Sequence, residues 1–183
     1  MNMFFRLSWL LLTASRRGRI SAWDTTQRSY RVRPLDLDIY RHMTNSAYLS
    51  FLDLGRLDLV IRSGIWNIAR RQRIAGVVAN QTITYRKSLK LGDTFTIETR
   101  VAGVDQRAAY FEQRFTVAGE IYAEATVRMR FVRRSGGTVP VDEILTWSGP
   151  APKDRILPNW MQEWTVSTGL PSTREPAPST WLN

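Results

Sequence analysis

Asp36, Asp38, His42 and Asn45 fall within ten consecutive positions. An acid, an imidazole and a carboxamide so spaced can work on an acyl group, provided that something beside them accepts the negative charge of a tetrahedral intermediate. The start of a helix meets that need. Its first N–H groups have no acceptor within the helix, and the aligned peptide dipoles add positive potential there. The apolar run that begins at Asn45 predicts such a helix. A carboxylate next to it could attack a carbonyl carbon or draw a proton from water, giving a hydrolase that needs neither serine nor metal. Each residue also has an ordinary role open to it. Asp38 could cap the helix or a turn, for about 1 kcal/mol. Asp36 reads better as the acid that holds the turn than as a reacting group, His42 could be a buried histidine with both nitrogens satisfied, and Asn45 could cap or begin the helix.

Other chemistries are narrowed by what the chain lacks. It has no cysteine, which excludes disulfides, thiolate metal sites and cysteine nucleophiles, and its single histidine excludes a histidine-rich metal site. No G-x-S-x-G turn marks a serine hydrolase. No G-D-x-N-P-x-H run supports a hydratase. The net charge of +10 attracts polyanions, whether nucleic acid, anionic lipid or a phosphorylated ligand. Without a helix-turn-helix, zinc-finger, RNP or G-x-x-G signature, nucleic acid is not expected as a partner.

The elements that must position these residues are legible from periodicity. Ser29–Pro34 reads as an edge-type strand stopped by proline. From Asn45 to Ser63 the chain is apolar almost all round, with a narrow polar stripe at Ser46, Ser50 and Asp53, and a helix of that kind must be enclosed. Gly55 removes a side chain in a way that suits close approach to a sheet, and Gly64 supplies a stop. Asp53 and Arg56 read as a solvated or dimer-facing pair. From about Arg73 to Arg133 the pattern alternates with the period of half-buried strands, and four can be placed. Val77, Ala79, Gln81, Ile83 and Tyr85 share one face of the first. The turns at Leu91-Gly92-Asp93 and Ala118-Gly119-Glu120 are short, so neighbouring strands run antiparallel. A strand, a buried helix and four strands predict an α+β fold, an antiparallel sheet wrapped around a long central helix.

With 183 residues, 43% of them apolar and 23% charged, the chain has the composition of one ordinary globular domain with tails. The division expected is a hydrophobic and basic leader over 1–22, the domain over 23–140 and an irregular extension over 141–183, rich in proline, serine and tryptophan. The apolar run Met3–Leu12 is about half the roughly 20 residues that span a bilayer. Arg16, Arg17 and Arg19 follow it rather than precede it, contrary to a secretory signal. The leader is therefore expected to lie on an anionic membrane or to pack on the domain, with a signal or transit peptide as the lesser alternative.

The spaced residues meet a known family at this point. The run Val32-Arg33-Pro34-Leu35-Asp36-Leu37-Asp38-Ile39-Tyr40-Arg41-His42-Met43-Thr44-Asn45-Ser46-Ala47-Tyr48 resembles the D-x-D-x-x-x-H-x-N-N-x-x-Y signature of hotdog-fold acyl-CoA thioesterases in the 4-hydroxybenzoyl-CoA thioesterase-like branch. Tyr48 to Arg56 is similar to the same branch's Y-x-x-[FY]-x-[DE]-x-x-R helix. The resemblance covers about residues 27 to 135. It implies a hotdog fold, hydrolysis of acyl-CoA to a free acid and CoA without a cofactor, and Asp38 as nucleophile or general base. It further implies that a backbone amide near Asn45 polarises the carbonyl, that His42 and the Asn45 side chain order the turn and the water, and that a homodimer or dimer of dimers forms with acyl-CoA between subunits. Thr44 stands where the first asparagine of the pair is usual, beside the substrate. Arg86, Lys87, Lys90, Gln106 and Arg107 flank loops from which they could meet the CoA phosphates. A cytoplasmic location follows, with membrane association through the leader left open. A catalytically weak acyl-CoA or lipid-binding hotdog protein at a membrane surface is the alternative, motivated by Thr44 and the leader.

Overall fold

The computed structural model describes residues 2–171 and 175–179. In chain order it contains α1 (Asn2–Thr13), a 3-10 turn (Ala14–Arg17), β1 (Thr26–Arg31), a 3-10 turn (Pro34–Asp36), α2 (Asn45–Arg62) and α3 (Ile65–Arg71). There follow β2 (Ile74–Tyr85), β3 (Thr94–Val104), β4 (Ala108–Val117), β5 (Glu120–Arg133), β6 (Thr138–Val139), α4 (Val141–Ser148) and α5 (Asn159–Ser167). The strands form one antiparallel sheet in the order β1-β3-β4-β5-β2, with β6 pairing β5 just beyond the start of β4.

The alternating pattern of β3 to β5 sends one face of the sheet toward α2. Phe95, Ile97, Phe111, Phe115, Ala123, Ala125 and Val127 are buried there against Ala47, Tyr48, Phe51, Leu52 and Leu54 of the helix. This is the hotdog arrangement: a nearly all-apolar helix hides its circumference by being wrapped. Gly55 is what permits the approach. A Cβ built there would lie 2.5 Å from Thr99 Oγ1 and 2.8 Å from Gln113 Nε2. Next to it Arg56 is buried and donates to Gln113 Oε1 at 2.5 Å and to Asp53, whose own side chain is exposed. Arg56 is thus not part of a solvated pair, and burial lowers the pKa of its guanidinium from the ordinary value while Asp53 opposes that shift.

Three stretches depart from expectation. β2 is not half-buried: it is an edge strand exposed on both faces for most of its length. A bulge at Ala79 shifts its register against β5, so Val77 does not share a face with the residues beyond the bulge. The stretch 141–183 is not wholly irregular, because α4 and α5 form within it; positions 172–174 and 180–183 lie outside the described residues. Pro140 and Pro158 stand immediately before these helices, where a missing N–H costs nothing, so the prolines start helices rather than break them. α4 buries Val141 and Ile144, and α5 seats Met161 with Leu157 on the far face of the sheet against Ala102, Ala108 and Tyr110.

The leader folds onto the domain; its position 1 lies outside the described residues. Arg6, Leu10 and Ala14 recur at four-residue steps and form the buried face of α1 and its continuation. Behind it, the fully buried carboxylate of Asp58 on α2 gathers Arg17, Arg28 and Arg62 at 3.2, 2.9 and 3.6 Å. That knot ties the leader, β1 and the central helix together.

Candidate active site

After β1 ends, Pro34 fixes φ at the start of a 3-10 turn that closes at Asp36. The chain then makes a tight hairpin. Leu37 bridges Met43, the Asp38 amide donates to the His42 carbonyl at 2.9 Å, and the Arg41 amide donates to the Asp38 carbonyl at 3.0 Å. Arg41 occupies the left-handed region at φ 62°. For a non-glycine residue that conformation costs about 1–3 kcal/mol and is concentrated at functional turns.

Asp38 sits at the tip of this hairpin, exposed. Its Oδ1 accepts the amides of Tyr40 and His42 at 2.9 and 3.0 Å. No described residue meets Oδ2, so one oxygen anchors the carboxylate while the other stays open. It is the amide of His42, not its half-buried ring, that orders the acid. Asp36, two residues earlier, has the opposite setting. It is buried, and Arg6 of α1 grips it in a fork, Nη1 to Oδ1 at 2.9 Å and Nη2 to Oδ2 at 2.8 Å, while the Arg33 amide adds a bond at 2.8 Å. The two acids of one D-x-D run thus divide between an enclosed anchor and an accessible group.

The hairpin delivers the chain straight into α2. The Thr44 amide donates to the Asp36 carbonyl at 2.8 Å, and Thr44 Oγ1 then accepts the Ala47 amide at 3.1 Å and meets Ser46 Oγ at 3.0 Å. Thr44 is therefore the helix cap, its hydroxyl filling that role. Asn45 begins the helix with an exposed side chain. With Ala47 bonded to the cap and Tyr48 to the Thr44 carbonyl, the amides of Asn45 and Ser46 precede the first intrahelical bond. Tyr48 closes the other side, its hydroxyl accepting the Leu89 amide at 3.3 Å, and burial raises its phenol pKa.

Among the basic candidates, the segment after β2 comes to the site. His42 bridges Lys90 and the Met43 amide donates to the Leu89 carbonyl, so Lys90 lies beside the hairpin, with Arg86 and Lys87 four and three residues earlier on the same segment, bonded to the Tyr122 carbonyl. Arg86 and Lys87 both pair with Glu120, at 2.8 and 2.7 Å. Gln106 and Arg107 are not brought there. They occupy the β3–β4 turn, beyond the other end of an 11-residue strand, about 35 Å along it. Among the described residues no cluster of three or more histidine, aspartate or glutamate side chains could hold a metal ion. Arg6 is the residue that local sequence reasoning missed. Its signal was its isolation, the one charge in a 12-residue helix of otherwise apolar and neutral side chains.

Comparison with known proteins identifies the family. The profile described as Thioesterase-like superfamily matches residues 32–165. Protein THEM6 of Xenopus laevis is 39% identical over 99 residues, 54% of this chain and 48% of that protein. The chain thus matches about half the length of the curated THEM6 relatives. Long-chain acyl-CoA thioesterase FadM of Escherichia coli is 31% identical over 103 residues, 55% of this chain and 78% of that protein. The crystal structure of YbaW, a probable thioesterase from Escherichia coli, superimposes with a TM-score of 0.63 at 26% identity, over 66% of this chain and 94% of that one. The hairpin, the capped helix and strands β2 to β6 of the wrapping sheet lie within the matched span, and the chain belongs to the thioesterase-like superfamily.

Proposed function

We propose that the protein is an acyl-CoA thioesterase that hydrolyses the thioester to a free carboxylic acid and CoA, with Asp38 as nucleophile or general base. The observation that carries this reading is the setting of Asp38: an exposed carboxylate, anchored through one oxygen by two amides, on the hairpin that feeds the N-terminus of α2. As a base, Oδ2 takes a proton from water while the water oxygen bonds to the thioester carbon. The carbonyl oxygen becomes an oxyanion facing the Asn45 and Ser46 amides and the positive end of the helix. Collapse breaks the carbon–sulfur bond and expels the CoA thiolate, which recovers the proton. As a nucleophile, the same oxygen forms an acyl–aspartyl anhydride that water then cleaves. Either route uses the same two features.

The substrate reading draws on FadM, a long-chain acyl-CoA thioesterase by name, and on Lys90 beside the hairpin, with Arg86 and Lys87 on the segment leading to it, as partners for CoA phosphates. The exposed faces and free edge of β2, including Val77, Val78 and Tyr85, support a homodimer joined edge to edge, since an uncovered strand of this length invites pairing. The exposed Ile39 and Tyr40 next to Asp38 would then line the cleft between subunits.

A thiol-release assay across acyl-CoA chain lengths tests the proposal. Wild type should release CoA well above the uncatalysed rate, Asp38→Ala should not, and Asp36→Ala should lose stability before anything else. No release by the wild type, or an Asp38→Ala variant as fast as wild type, would refute the reading.

A further inference from the structure

The side of α1 that faces away from the domain is covered by no described residue. While Arg6, Leu10 and Ala14 point inward, Phe4, Phe5, Trp9 and Leu12 each expose between 62% and 69% of their surface on the opposite side. That face carries no charge, because the one charged residue of α1 is the inward Arg6. Large apolar side chains gathered in this way on a soluble domain mark a contact surface. Its surroundings are basic. Arg16 and Arg19 follow the helix, exposed. Across a cleft of about 470 Å³ between α1 and β1, Phe5 and Trp9 look toward Ser29, Arg28, Arg31 and Arg33, and no acidic side chain lines the cleft.

We propose that this face docks on an anionic phospholipid surface, with Phe4, Phe5, Trp9 and Leu12 entering the boundary between headgroups and acyl chains and the exposed Arg16, Arg19 and Arg31 at its rim meeting lipid phosphates. Apolar aromatics bordered by arginine are the composition of a helix that lies in the plane of a bilayer surface. At 12 residues α1 is too short to span, and no described helix is long and apolar enough to cross a membrane. A second copy of the chain fits worse, because a two-fold pairing through α1 would set the same arginine rim against itself in a chain of net charge +10. The buried face of α1 keeps its fork on Asp36, so docking would place the Asp38 hairpin close to the lipid surface. The proposal does not depend on turnover.

Co-sedimentation with phosphatidylcholine vesicles, with and without phosphatidylserine, tests it. Wild type should pellet with the anionic vesicles and stay in solution with the neutral ones. Phe5→Ser/Trp9→Ser should fall to background on both. Arg16→Ala/Arg31→Ala should bind the anionic vesicles about thirtyfold more weakly, at roughly fivefold for each arginine near a charged surface. A readout that does not depend on how well those variants fold is quenching of wild-type tryptophan fluorescence by brominated lipid, which the conservative Trp9→Phe should largely abolish. Equal binding to neutral and anionic vesicles, binding by Phe5→Ser/Trp9→Ser at the wild-type level, or full quenching in Trp9→Phe overturns the proposal. So does an oligomer that Phe5→Ser/Trp9→Ser dissociates with no vesicle binding by wild type, which would make α1 an interface between copies. Binding of free coenzyme A through Arg31 with no vesicle binding overturns it too, by assigning the cleft to a soluble phosphate.

Discussion

Replacing Arg6 by methionine isolates the contact between the leader and the signature hairpin. Methionine keeps most of the apolar stem, but it removes the charge, every donor and the guanidinium that lies over Phe51, 4.5 Å from its ring centroid. The Arg6 and Asp36 side chains are only 7% and 4% exposed, so solvent screens the pair little, and both bonds of the fork are short. Removing one partner of a buried pair costs about 3–5 kcal/mol, chiefly because the remaining charge stays buried. An exposed pair is worth about 0–1 kcal/mol. For a domain of this size, at roughly 2–4 °C for each kcal/mol, the melting temperature should fall by about 10 °C.

Urea unfolding of wild type, Arg6→Met, Asp36→Asn and the double variant completes a cycle. If the loss comes from an uncompensated charge, the double variant should be more stable than the sum of the singles predicts, by about 2 kcal/mol or more. Additive singles, or an Arg6→Met variant within about 0.5 kcal/mol of wild type, would refute a buried fork.

Other perturbations give equally definite outcomes. Gly55→Ala should destabilise by about 1–2 kcal/mol in denaturant melts despite alanine's better helix propensity, because the added methyl meets Thr99 Oγ1 and Gln113 Nε2 inside 3 Å; a raised midpoint would contradict the close approach. Thr44→Ala should cost about 1 kcal/mol and Thr44→Ser or Thr44→Asn only a few tenths, if the hydroxyl serves as the cap. For Asp105, burial alone would raise the carboxyl pKa, but hydrogen bonds from the Tyr110 hydroxyl and the Arg107 and Ala108 amides, with the Arg128 charge, lower it. A folded-state pKa below the unfolded one contributes stability that is complete above the ordinary carboxylate range and is lost as pH falls through the folded value. Asp105→Asn should therefore reduce stability at neutral pH and flatten its dependence below about pH 4; an unchanged acid limb would contradict this.

The wrapped helix and the β3–β5 hairpins were legible because their signals are local: an apolar run bounded by Asn45 and Gly64, and alternation bounded by glycine turns. Gly55 was legible for the same reason, as a missing side chain in an otherwise bulky helix. What escaped were features set by distant partners. Asp36 and Arg6 are 30 residues apart, and nothing near either residue announces the other. The exposure of β2 follows from its place at the sheet edge, which topology decides, not its own alternation. α4 and α5 were obscured by Pro140 and Pro158, whose meaning depends on which side of a helix boundary they fall. At the candidate site the identities of Asp36, Asp38, His42 and Thr44 were readable, but their orientation was not. Only the hairpin shows that one carboxylate turns inward to an arginine while the other is held at the surface by amides.

The tight seat of Gly55 acts as a locating pin for the central helix. α2 is 18 residues long, and Gly55 lies near its middle, pressed against Thr99 and Gln113 of two adjacent strands. A rigid rod pinned at its centre has both ends placed at once. Shifting α2 by one residue, a turn of about 100° with a rise of about 1.5 Å, would bring Leu54 or Arg56 into a space too tight for a Cβ, which opposes a change of register of helix on sheet. The amides of Asn45 and Ser46 inherit that setting, and the distance between the helix start and the Asp38 hairpin is thereby gauged from the core, ten and nine residues away from the acid's proposed oxyanion partners.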